Sequence, residues 1–176
     1  MRYIGIDPGS SGAIALYSPP VKGRGAAPAV PASLSVWDIP HDDVKVGRSV
    51  RKRIDVVGLD DLLADIFMLG DADRIVVEEV GAMPKQAGMF AFGFGVGVVH
   101  SVLRLRRIKF ETVTPTVWKR EVKLASKDKG LAIARAEEVF PDCRHLWRDN
   151  SKSAGGKLRP DRAEAALMAY YAATVR

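Results

Sequence analysis

The chain holds one cysteine, Cys143. No intrachain disulfide can form, and a reducing compartment is the natural setting. Histidine is almost as scarce: His41, His100 and His145 are too scattered to suggest a zinc site. No apolar run is long enough to span a bilayer, and the opening "MRYIGID" lacks the pattern of a signal peptide. The expectation is therefore no membrane partner and a cytoplasmic location. Acidic residues are in deficit, 21 Asp and Glu against 27 Lys and Arg, for a net charge of +6. That excess points to a polyanionic partner and says nothing of the fold. With 47% hydrophobic residues over 176 positions, disorder throughout is excluded and one domain with a real core is expected over residues 1–176.

Alternation in "YIGID" and "AIALY" predicts a hairpin, with Ile4 and Ile6 on one face and Tyr3, Gly5 and Asp7 on the other. The Pro-, Gly- and Ala-rich "SPPVKGRGAAPAVPAS" reads as a loose excursion, and "LSVWDIP" as a third strand. A helix is expected over "DVVGLDDLLADIFML", a strand covered on both faces over "DRIVVEEV", and a long helix over "KQAGMFAFGFGVGVVHSVLRLRR". "IKFETV" reads as a strand. "TPTVWKREV" opens a helix with a Thr cap and Pro at its first position, and "SKDKGLAIARAEEVF" is a helix capped by Ser126. "PDCRHLWRDNSKSAGGKL" is expected to be mobile, and "RPDRAEAALMAYYAATV" to be a final amphipathic helix. The order βββαβαβααα is α/β: a mixed five-stranded sheet flanked by helices.

Carboxylates fall at three element ends. Asp7 closes the first strand, Glu78 and Glu79 close the fourth, and Asp161 and Glu164 share a face at the start of the last helix. Singly, each has an ordinary reading: a turn residue, a solvent-facing strand end, an acid favoured by the helix dipole. Together in a basic chain they suggest a cluster whose mutual repulsion is relieved by hard divalent cations. Two Mg2+ ions roughly 3.5–4 Å apart can activate water and stabilise the leaving oxygen of a phosphodiester.

"IGIDPG", "VVEEV" and "DRAEAALMA" resemble the Holliday-junction resolvases of the RuvC family, within the RNase H-like superfamily. The resemblance spans nearly the whole chain. "VRKRIDV", "TVWKREVKLASKDK" and "FAFGFGVG" resemble the phage-type and plant-organellar branch more closely. It implies metal-binding and catalytic roles for Asp7, Glu78, Asp161 and Glu164, with Glu79 at the place of the family's Gln. Glu164 replaces the Asp of the bacterial enzymes. Lys119 in "VWK" matches a lysine near the scissile phosphate, and Lys127 or Lys129 a second. Gly81 stands where the bacterial family has a Phe that wedges into the junction, so that wedge is missing or supplied elsewhere, with Met83 and Phe90 as candidates. The resemblance implies a Mg2+-dependent endonuclease, two ions per site with Mn2+ able to substitute. It further implies a bacterial or phage-encoded homodimer that nicks opposing strands of four-way junction DNA and leaves ligatable 5′-phosphates. The residues leave open whether a branch-migration motor is a partner.

The run "KVGRSVRKR" carries five positive charges and no negative one. Lys45, Arg48, Arg51, Lys52 and Arg53 are expected in a phosphate-binding loop or arm. Lys123, Lys127 and Lys129 join the expected DNA contacts, and Lys152, Lys157 and Arg159, beside the last acidic pair, are candidates to clamp DNA. Arg104, Arg106, Arg107 and Lys109 serve DNA binding or simply snorkel at a helix end. "FGFGVG" lacks dinucleotide-site spacing. Gly93 and Gly97, four apart on a helix and costing about 1 kcal/mol each against Ala, suggest a close helix contact, within the monomer or at a dimer seam. Phe90 and Phe94 are candidates for the same seam or for the core. Two other functions compete. "IGIDPGSSGAIAL" also resembles the phosphate hairpin of actin-like kinases, but those need two such domains. A junction-binding protein without catalysis is the other, and the presence of all four carboxylates argues against it.

Overall fold

The structure, a computed structural model, describes residues 1–9, 11–23, 29–79, 89–124, 129–149 and 156–175. Along the chain run β1 (Tyr3–Asp7), β2 (Ala13–Ser18), β3 (Ser33–Asp38), β4 (His41–Val46), β5 (Ser49–Ile54), α1 (Val56–Met68) and β6 (Arg74–Glu78). They are followed by α2 (Met89–Leu105), β7 (Glu111–Val113), α3 (Pro115–Glu121), α4 (Lys129–Val139), a 3-10 helix (Pro141–Trp147) and α5 (Pro160–Thr174). The five-stranded sheet has the order β3-β2-β1-β6-β7. β1, β2 and β3 pair antiparallel, while β6 joins β1, and β7 joins β6, in parallel. The α/β expectation of a mixed five-stranded sheet flanked by helices holds.

Strand alternation divides the core in two. Ile4, Ile6, Ile14, Ile75 and Val77 meet α1 and α2 on one face. Ala13, Ala15 and Val76 meet α3, α4 and α5 on the other. α1 presents Leu59, Leu63 and Ile66 at helical spacing, all essentially fully buried, and Asp55 Oδ1 caps it by accepting from the Val57 N–H at 3.0 Å. Such a side chain contributes about 1.5–3 kcal/mol on full burial, so this stripe holds α1 to the sheet.

Four expectations are corrected. The basic run is not a loop: Lys45 lies on β4, Arg51–Arg53 on β5, and Arg48 in a two-residue turn whose Gly47 adopts φ +61°. The two strands hold few apolar residues, Val44 and Val46 on β4 and Val50 and Ile54 on β5, and the charges between them hid this second, largely exposed sheet. The segment expected to be mobile contains the 3-10 helix, anchored by the fully buried Trp147, and Arg148 bridges Leu158. α5 is buried on nearly every side instead of one; its alanines are small enough to lie between the sheet, α4 and the 3-10 helix. Phe90 and Phe94 are 83% and 43% exposed, so neither is core. The expected Ser126 cap lies outside the described residues, and Thr114 precedes α3 without a side-chain cap bond. No helix among the described residues is long and apolar enough to cross a membrane.

Candidate active site

Gly5 is the residue that lets the site form. A Cβ there would overlap the Ala165 carbonyl oxygen and the Ala169 nitrogen, so α5 rests directly on the backbone of β1. The first turn of α5 is thereby brought over the C-terminal end of β1. Asp161 and Glu164 meet Asp7 there: one carboxylate oxygen from each lies within 4.8 Å of the others. β6, running parallel to β1 with Ile6 opposite Val77, delivers Glu78 to the same end.

These four carboxylates are the buried charged side chains among the described residues, each 6–9% exposed. Glu79, one residue past the end of β6, is exposed. Asp7 Oδ1 accepts from the Gly9 N–H at 3.1 Å. Glu78 Oε1 accepts from the Trp118 indole at 2.8 Å, and Glu164 Oε1 from Lys119 Nζ at 2.6 Å. Burial, then the charges of Glu78 and Glu164, push the Asp7 carboxyl up to about 8; Asp161 adds to this and the Gly9 N–H opposes it. An acid held that far from its ordinary value marks a place where a positive charge would be strongly stabilised.

The donor set fits a hard cation. Asp7, Asp161 and Glu164 offer converging oxygens, the ligand type that Mg2+ and Mn2+ take. Glu78 is not part of that close triad, yet its charge is the largest neighbouring contribution at Asp7. The expected residues thus converge, with Glu78 flanking instead of completing the triad.

Lys119 sits at the cluster's edge, 21% exposed. Lys45, Arg48, Arg51, Lys52 and Arg53 are exposed on the hairpin, and the Arg53 guanidinium lies 5.3 Å from the Phe94 ring centre. Lys123 is exposed just past α3, with φ +59°. Lys157 is exposed, and its backbone N–H donates to Asp149 at 2.8 Å. Arg159 is engaged within the protein: it pairs with Asp38 at 2.8 Å. Arg106 is engaged with Asp60, and Arg104 lies over Phe110. Lys127, Lys152, Gly81 and Met83 lie outside the described residues, as does the side chain of Lys129. Among the described residues, a Cβ at Gly93 or Gly97 would meet nothing within 4 Å, whereas one at Gly95, between them, would overlap the Pro8 carbonyl oxygen.

Sequence reasoning missed Asp38 and Arg162. Arg162 grips both Asp38 oxygens, at 2.7 and 2.8 Å, and donates to the carbonyls of Leu146 and Arg148. These contacts fix the first turn of α5, which carries Asp161 and Glu164. The pair with Arg162 and Arg159 holds the Asp38 carboxyl below its ordinary value, against the opposing effect of burial. Arg162 stands between two nominated acids, but nothing local marks Asp38, 124 positions away, as its partner.

No family model and no curated protein sequence matches the chain. Among solved structures, Thermus thermophilus RuvC aligns over 98% of this chain and 95% of its own, with TM-score 0.54 and 16% identity. The chain has the RuvC fold. A second T. thermophilus RuvC structure, in complex with Holliday junction substrate, aligns over 98% of this chain and 93% of its own, with TM-score 0.53 and 15% identity. At such identity the likeness to RuvC concerns architecture, and the chemistry has to be argued from the residues of this chain.

Proposed function

We propose that the chain is a structure-specific DNA endonuclease that resolves four-way junctions by metal-dependent phosphodiester hydrolysis. The observation that carries this reading is the convergence of four buried carboxylates at one end of the sheet in a protein of net charge +6. So costly a concentration of like charge is matched by a use for it. The same fold is recorded in a RuvC bound to a Holliday junction.

In this reading Asp7, Glu78, Asp161 and Glu164 would together hold two Mg2+ ions, with Mn2+ able to substitute. The ions supply Lewis acidity and a nucleophile from water at neutral pH. β1 and β6 hold their carboxylates on a rigid frame, which keeps the geometry exact enough for in-line displacement. Lys119, at the rim, stabilises charge growing on the scissile phosphate. The exposed cations of the β4–β5 hairpin, with Lys123 and Lys157, bind phosphates whatever the sequence. Two copies of the chain address two opposing strands, matching the approximate two-fold symmetry of a junction.

The test compares cleavage and binding on one junction. Asp7→Asn and Glu78→Gln are expected to abolish cleavage and leave junction binding largely intact. Lys119→Ala is expected to lower the single-turnover rate more than the affinity. Near wild-type turnover in Asp7→Asn or Glu78→Gln removes that residue from the site. Equal loss of affinity with an unchanged rate makes Lys119 a plain phosphate anchor.

A further inference from the structure

Trp118 is fully buried, and its one polar atom is spent on the candidate site. Trp118 belongs to the same core cluster as Val76, Val113, Val122 and Leu124, while its Nε1–H donates to Glu78 Oε1 at 2.8 Å. The placement follows from the chain path. Val113 ends β7 opposite Glu78, the Glu79 N–H donates to the Val113 carbonyl at 2.9 Å, and Pro115 starts α3 two residues later. One turn of α3 then returns the indole over the Glu78 carboxylate. The next residue, Lys119, reaches Glu164 on α5, with its Nζ 5.1 Å from the Trp118 ring centre. Two adjacent residues of one short helix therefore each give a donor to a different carboxylate, one from the sheet and one from α5.

The two donors differ in kind. Lys119 is a cation and competes with a metal for its carboxylate. An indole N–H is neutral and only donates, so it can fix the carboxylate's rotamer without competing by charge for the same oxygens. We infer that Trp118 is a positioning residue for Glu78, holding that carboxylate in its metal-receiving orientation through a buried indole–carboxylate hydrogen bond. This rests on the metal-dependent reading above. The plainer role, a core tryptophan that happens to find an acceptor, predicts no effect on metal uptake, and that difference can be measured.

Trp118→Phe keeps most of the ring volume and removes the N–H. With the folded variant, Mn2+ affinity measured by calorimetry without DNA is expected to fall about 10–100-fold, as for other hydrogen-bond partners of metal ligands. Junction affinity in EDTA stays at the wild-type value, and the cleavage rate recovers as Mn2+ is raised. Wild-type Mn2+ affinity in the folded variant overturns the inference. Should the variant fail to fold, the indole N–H resonances of Trp37, Trp118 and Trp147 in 15N-labelled wild-type and Glu78→Gln protein decide the matter. One indole signal is expected to move in Glu78→Gln and to move again when Mg2+ is added to wild type. An unchanged set in both overturns the inference. Wild-type protein that takes up no Mn2+ overturns the metal reading itself and the inference with it; the response to Glu78→Gln, which needs no metal, tells that failure from loss of the indole bond.

Discussion

At the scale of single residues, Asp7 carries the sharpest expectation. Its folded-state carboxyl is raised to about 8 from an ordinary 3.8, by burial first and by Glu78 next. Below about pH 4 it is protonated in both folded and unfolded chains, and its contribution to stability is fully present. As pH rises toward 8 the unfolded chain releases the proton more readily, so that contribution is lost. Metal-free Asp7→Asn, neutral throughout, should therefore melt above wild type at pH 8 and level with it near pH 4. The gap is expected to open progressively as pH rises from 4 toward 8. Thermal melts in EDTA at the two pH values check this, and equal Tm at pH 8 contradicts it. The same proton should be displaced when a cation enters: Mg2+ uptake at pH 7 should release about one proton, read by calorimetry in buffers of different ionisation enthalpy.

At the scale of elements, the site depends on how closely α5 lies on β1. Gly5→Ala places a methyl group against the backbone of Ala165 and Ala169. The helix must shift, and Asp161 and Glu164 shift with it. The expected cost is about 1–3 kcal/mol of stability, with cleavage reduced far more than junction binding. A Gly5→Ala protein with wild-type Tm and rate would show that this contact does not set the site. How much of this was legible follows the range of the signals. Asp7, Glu78 and the Asp161–Glu164 pair were readable because each closes or opens an element with a strong period of its own. Gly5 was readable as a strand residue but not as the contact point for a helix 160 positions onward, because such an approach leaves no local pattern. The β4–β5 hairpin was missed because an exposed two-stranded sheet needs no apolar alternation. Arg159 looked available for DNA because its partner Asp38 is distant in the chain.

At the scale of the whole molecule, α2 exposes Phe90, Phe94 and Leu105, and Gly93 and Gly97 open to solvent beside them. A surface this apolar along a helix, with glycines that cost helix stability and have open space beside them among the described residues, is expected to form a seam with a second copy. Light scattering is expected to give the mass of a dimer. Gly93→Leu combined with Gly97→Leu should shift it toward monomer and lower paired cleavage of the two strands. A wild-type monomer, with and without junction DNA, contradicts the dimer; a dimer that survives the double substitution places the seam off α2.

Cutting of four-way junctions by this fold and its buried carboxylates should depend on a divalent cation. This is tested most directly by incubating the protein with a strand-labelled four-way junction and with a linear duplex of the same sequences, in Mg2+ and in EDTA. Symmetric nicks on two opposing strands of the junction are expected in Mg2+, sealable by ligase, with neither nicking in EDTA nor comparable cutting of the duplex. A junction left intact in Mg2+, or cleaved equally well in EDTA, would contradict it.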